Sequence, residues 1–147
     1  MIIEQLTSVD DTFMQALQSL MAQLTPFSPI PTRVQIEQII AHPATTIWVA
    51  KDGYLAIIGM LTLAIYPSPT GTHAWVEDVV INEAMRAKGY GSALTRAAMQ
   101  FAQEQGAKAI SLTSRPGRVA ANQLYQKIGF EKIETNLYRF HFPTPKR

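Results

Sequence analysis

The chain has 147 residues, 47% apolar and only 16% charged, which fits one core-forming domain and excludes a disordered tail or a charge-coated scaffold. With no cysteine, a disulfide framework, a thiolate metal site and a cysteine nucleophile are excluded too. The net charge of +2 is unevenly spread: residues 1–85 carry 2 basic and 8 acidic side chains and residues 86–147 carry 11 and 3, so the second half suits an anion and the first a cation.

The first basic residue is Arg33, so no positively charged targeting start is expected and the cytoplasm is the expected location. Val9 to Leu24 places Phe13, Leu17, Leu20, Met21 and Leu24 at helical spacing, with Asp10 or Asp11 suited to the cap. After Pro26, Pro29 and Pro31, Thr32 can cap a short helix through Val34, Ile36, Ile39 and Ile40 that ends before Pro43. Thr45–Ala50 and Tyr54–Tyr66, joined by Lys51-Asp52-Gly53, predict an antiparallel hairpin. The apolar run from Tyr54 to Tyr66 is too short for a membrane-spanning helix, so no membrane association is expected.

A turn at Pro67–Thr72 leads to a strand over Ala74–Ile81. Gly91 to Gln105 predicts a helix with Ala93, Leu94, Ala97, Ala98, Phe101 and Ala102 on one stripe, ended by Gly106. Ala109–Thr113 predicts a short strand, and Arg118–Ile128 a helix ended by Gly129 with Phe130 folded back on it. An alternating strand over Lys132–Phe142 is expected to close the domain. Strand, helix, strand from 74 to 113 makes a βαβ crossover, hence a parallel pair within a mostly antiparallel sheet.

Three segments carry chemistry. Arg86-Ala87-Lys88-Gly89-Tyr90-Gly91-Ser92 joins a strand to a helix, so its glycines can turn backbone N–H groups toward one anion at the helix start. Leu94 takes the third small position of the dinucleotide fingerprint, and no Gly-Lys-Ser/Thr follows as a P-loop needs. Glu77 and Asp78 are adjacent in a strand between Trp75-Val76 and Val79-Val80-Ile81, so one of them should face a covered layer unless the strand bulges. Finally, Asn122 and Tyr125 stand three apart on a helix and offer an amide and a phenol to a ligand.

In order and content these segments resemble the GCN5-related N-acetyltransferase (GNAT) family. Arg86, Gly89 and Gly91 meet its pyrophosphate motif; Asn122, Leu124-Tyr125 and Gly129-Phe130 meet its later one. The resemblance covers about residues 45–142 and implies an α/β fold: one domain over 1–147, mostly antiparallel, whose central parallel pair splays to hold acetyl-CoA, with about four helices.

It further implies that the backbone of Val79, Val80 and Ile81 pairs with the pantetheine and that the amides of Ala87, Lys88, Gly89, Tyr90, Gly91 and Ser92 hold the pyrophosphate. Lys88, Arg115, Arg118 and Lys127 would complement the phosphates, and Asn122 would help to bind the cofactor. An amine of pKa about 10 must lose a proton before it attacks a thioester. Glu77 is the preferred base, with Asp78 structural, and Tyr125 matches the tyrosine that protonates the departing thiolate. The acidic first half favours a cationic acceptor, a small molecule or a peptide amine; a non-catalytic acyl-CoA sensor is the alternative.

Nucleic acid is not an expected partner, because basic and aromatic residues do not interleave. His42, His73 and His141 stand apart, so no metal is expected. Sparse charge on a small apolar chain predicts a homodimer, with Asn136–Phe142 contributing to its interface.

Overall fold

The computed structural model describes residues 1–145. Five strands form one sheet in the order β1 (Ile2–Gln5), β2 (Thr45–Lys51), β3 (Ile57–Ser68), β4 (Gly71–Ile81), β5 (Ile110–Ser111). The first four pair antiparallel, and β4 and β5 pair parallel. The four helices among the described residues are α1 (Asp11–Leu24), α2 (Arg33–Ala41), α3 (Tyr90–Glu104) and α4 (Val119–Lys127). None is long and apolar enough to cross a membrane.

Both faces of the sheet are covered, and strand alternation divides the core between them. From β2, Ile47 and Val49 join Phe13, Leu17 and Leu20 of α1 and Ile36 of α2, while Ala50 and Trp48 join Leu94, Ala98 and Ala102 of α3. The helix starts follow from their caps. Asp10 accepts the Phe13 N–H at 2.8 Å, and Thr32 and Gln35 form a reciprocal capping box. At the far end of α4, Gly129 takes φ +110° and the Phe130 N–H donates to the Tyr125 carbonyl at 2.9 Å. This left-handed stop sets the Phe130 ring edge-on to Tyr125, with centroids 5.8 Å apart.

Two elements depart from the sequence expectation. β1 was not anticipated: its alternation is too brief to register, and it is held by its ladder to β2 and an ion pair between Glu4 and Lys51. The expected closing strand over Lys132–Phe142 pairs with no strand, and every residue of 131–142 is exposed. A strand is defined by its partner's N–H and C=O groups, and this segment has no such partner among the described residues.

Candidate active site

β4 and β5 are laddered only at Ala74 with Ile110 and Trp75 with Ser111. Beyond that point β4 runs on through Val76–Ile81 while the chain after Ser111 has no place in the ladder, so the parallel pair parts toward its carboxyl end. Backbone groups of the two strands are thereby left for something other than each other. Ser114 lies on the parted side, and its buried hydroxyl has no hydrogen-bond partner. Nothing in the sequence singled it out, because only the parting makes a buried serine there informative.

β4 bulges on the same stretch. Thr62 faces Glu77 and Met60 faces Val80, so Asp78 and Val79 together stand opposite Leu61. Asp78 takes φ +53°, a left-handed conformation that aspartate tolerates better than most residues. The result corrects the expected alternation: neither carboxylate is covered, and both Glu77 and Asp78 are exposed. Asp78 therefore lacks the buried partner expected of a structural acid; among the described residues it makes no ion pair and no side-chain hydrogen bond. Val79 is half-buried against the α3 face, and Val80 is buried on the other.

The turn into α3 forms the neighbouring wall. Ala87 at φ +61° and Gly89 at φ +88° are left-handed, with Lys88 outside that region between them. Such alternation turns successive N–H groups inward as a nest. Gly89 is also the residue on which α3 starts, without a side-chain cap, so the orphan N–H groups of the first turn and the positive dipole end remain available to an anion. Gly91 is where three elements meet: a Cβ there would lie 3.3 Å from Leu124 of α4 and 3.7 Å from Ile81 of β4. The start of α3, the end of β4 and the helix bearing Tyr125 thus converge.

Other expected residues take more specific parts. The Arg86 Nε–H donates to the Ile81 carbonyl at 3.2 Å, fixing the end of β4 with one of its five donors. The Lys88 ammonium is exposed beside the Met85 sulfur. Tyr90 turns its ring into the core, so only its backbone can serve a ligand, and Ser92 is half-buried. Asn122 donates to the carbonyls of Arg115 and Arg118, both at 2.8 Å, and so holds the 115–118 loop against α4. Lys127 is exposed in the last turn of α4, where a cation also complements the helix dipole.

Tyr125 is buried, and burial pushes its phenol above the ordinary value of 10.0 while the Arg118 guanidinium pulls it partly back. The phenol is therefore a proton holder at neutral pH. Because the folded value exceeds the unfolded one, its contribution to stability is complete below pH 10 and lost as pH rises through the folded value. Urea titrations should show Tyr125→Phe close to wild type at pH 7 and more stable than wild type above pH 10. A difference independent of pH would mean that the phenol titrates alike folded and unfolded.

The model of the acetyltransferase (GNAT) family matches residues 12–130. The chain belongs to that family. An uncharacterised N-acetyltransferase of Bacillus subtilis, YhdJ, is 39% identical over 70 residues, 47% of this chain and 49% of YhdJ; the match spans about half of that relative's length. The fold is shared with an aminoglycoside acetyltransferase, meta-AAC0020, from an uncultured soil metagenomic sample, solved with sisomicin (TM-score 0.83, 18% identity, 97% of this chain and 96% of that one). It is shared also with AAC(6')-Iy, solved with a bisubstrate analogue of CoA and acetylneamine (TM-score 0.79, 18% identity, 96% of this chain and 97% of that one).

Proposed function

We propose that this protein is an acetyltransferase that moves the acetyl group of acetyl-CoA to a primary amine of a small, cationic acceptor, by direct attack of the amine on the thioester. The observation that carries the reading is the parting of β4 from β5 beside the nest at Ala87–Gly89. A long ligand with a diphosphate at one end and an amide-bearing arm at the other finds a matching N–H cradle and an unpaired strand there. The bound CoA portion of the AAC(6')-Iy complex supports the same choice. Residues 1–147 act in this reading as one domain, since β1 is laddered to β2 and Phe130 closes on Tyr125.

The chain's own residues divide the work. Amides of Ala87–Ser92 hold the diphosphate, with Arg86, Lys88 and Lys127 adding positive charge. Backbone groups of Val79–Ile81 align the arm, and the orphan Ser114 hydroxyl supplies one further polar contact. Acetyl-CoA supplies the electrophilic carbonyl and a thiolate leaving group. Glu77, exposed at the bulge, takes the proton from the ammonium; Tyr125 returns one to the departing sulfur. Asn122 acts at one remove, by holding the loop that carries Arg118.

The acidic first half of the chain, together with the exposed Glu77 and Asp78, supports a cationic acceptor. The sisomicin complex of meta-AAC0020 supports amino sugars as one class to test. Thiol release from acetyl-CoA, followed across polyamines, amino sugars and peptide amines, tests the function. Tight acetyl-CoA binding with no turnover on any amine would overturn it.

With Glu77 as base, Glu77→Gln should lower kcat/KM by about 10²-fold at pH 7. Its residual rate should climb with pH as the amine deprotonates unaided. Both acids are exposed, so neither Glu77→Gln nor Asp78→Asn should change stability by more than about 0.5 kcal/mol. A large loss of turnover from Asp78→Asn alone would assign the base to Asp78.

A further inference from the structure

We infer that Gln23, near the end of α1, is a positioning residue for the nest at Ala87–Gly89: it fixes the turn that carries the nest, and so sets the affinity for acetyl-CoA from outside the binding site. The inference rests on the reading that the amides of Ala87–Ser92 hold the diphosphate.

Between β4 and the nest, Glu83–Met85 form a one-turn 3-10 helix behind Asn82. A helix start leaves its first N–H groups without partners in the helix. The Asn82 side chain accepts one of them, from Ala84 at 3.0 Å. The other, from Glu83, donates to the Gln23 Oε1 at 2.8 Å, across a sequence separation of 60 residues. The orientation of the Gln23 amide is forced. Its Nε2 donates to the Ser19 Oγ at 3.3 Å, and turning the amide over would set two donors face to face at Glu83.

Other ties hold this turn from one side. The Asn82 N–H donates to the Ile58 carbonyl at 2.7 Å, Ile81 is laddered to Gly59, and the Arg86 Nε–H returns to the Ile81 carbonyl at 3.2 Å. All three lead back to the β3–β4 pair. A segment tied along one line can still rotate about it, and a tie from another body stops the rotation. Gln23 supplies that tie. It stands beside Leu24 and three residues after Leu20 on a helix anchored in the core by Phe13, Leu17 and Leu20, each 1% exposed. An acceptor on so fixed an element places its donor more exactly than one on a loop.

The position of the turn matters because a nest binds an anion by convergence of its N–H groups. Tyr90 and Leu94 pack the start of α3 into the core, so the first turn of that helix stays where it is. Rotation at 83–86 would carry the Ala87 end of the nest away from it, and the N–H groups would no longer share a centre. Glu77 and Tyr125 stand on β4 and α4, outside the moving segment. The loss therefore falls on cofactor affinity.

Calorimetric titration with acetyl-CoA tests the role. Gln23→Met keeps the length and helix preference of the side chain and removes its oxygen, so it should raise Kd about 3- to 10-fold. Gln23→Glu can accept the same N–H and should return Kd to within about twofold of wild type, in about 0.5 M salt that screens its added charge. Glu83 is exposed, so water can take the freed N–H and thermal melts of both variants should match wild type. In the ligand-free protein the Gly89 and Gly91 amide resonances should shift in Gln23→Met and return in Gln23→Glu.

Wild-type affinity or unmoved glycine resonances in Gln23→Met would overturn the role, as would a Gln23→Glu protein that binds as weakly as Gln23→Met. Gly89→Val keeps the two ideas apart. If it loses acetyl-CoA while Gln23→Met does not, the nest stands and the tie from α1 is idle; if Gly89→Val binds as wild type does, the nest reading falls and the role of Gln23 with it.

Discussion

Tyr125→Phe is expected to lower kcat by about 10²-fold or more while acetyl-CoA affinity changes little. The substitution keeps the ring and its edge contact with Phe130, and deletes only the phenolic hydroxyl that carries the transferable proton. Burial holds the Tyr125 phenol above its ordinary value and makes it a weaker acid, so full proton transfer from Tyr125 to a relaxed, solvated thiolate is disfavoured. The transfer is therefore useful only as the carbon–sulfur bond breaks, when the sulfur has not yet become a relaxed, solvated thiolate. Arg118, whose charge lowers the phenol from its buried value, stabilises the phenolate that forms. Arg118→Gln should consequently reduce kcat in the same direction by a smaller factor, and the two losses should not add, since both act on one proton. Steady-state kinetics with a saturating acceptor decides it; unchanged kcat in folded Tyr125→Phe would remove Tyr125 from the acid role.

Much of this arrangement was legible in the residues, and the exceptions have physical causes. Thr32 with Gln35 announces the start of α2, and Gly129-Phe130 announces the end of α4, because capping is local chemistry between near neighbours. The glycine turn at 86–92 is legible for the same reason, although the left-handed Ala87 is not, since alanine carries no signal for positive φ. Glu77 and Asp78 were located but misplaced in depth. Strict alternation buries one of two neighbours, whereas the bulge opposite Leu61, a property of the β3–β4 pairing, exposes both. The closing segment failed for a related reason: its alternation is genuine, but alternation names a strand's faces and leaves its partner open.

Gly89→Val and Gly91→Val should each abolish measurable acetyl-CoA binding by different routes, and the difference is itself testable. Gly89 sits at φ +88° with open space around its Cβ position, the nearest atom being the Met1 Cε at 3.9 Å. Its requirement is conformational: a β-branched residue there costs about 1–2 kcal/mol or flips the turn out of the left-handed region, which takes the N–H groups away from their common centre. Gly91 has no such backbone demand; its Cβ would press on Leu124 at 3.3 Å, so the larger valine side chain must push α4 or β4 aside. Alanine separates the two. Gly91→Ala asks Leu124 to yield by a few tenths of an ångström and should retain binding within about tenfold, equivalent to about 1.4 kcal/mol. Gly89→Ala keeps the φ penalty of any L-residue and should lose both stability and affinity. Calorimetric titration with acetyl-CoA, alongside thermal melts of each variant, provides the comparison. Wild-type affinity in a well-folded Gly89→Val protein would show that the turn does not hold the diphosphate, and the assignment of the nest would fall with it.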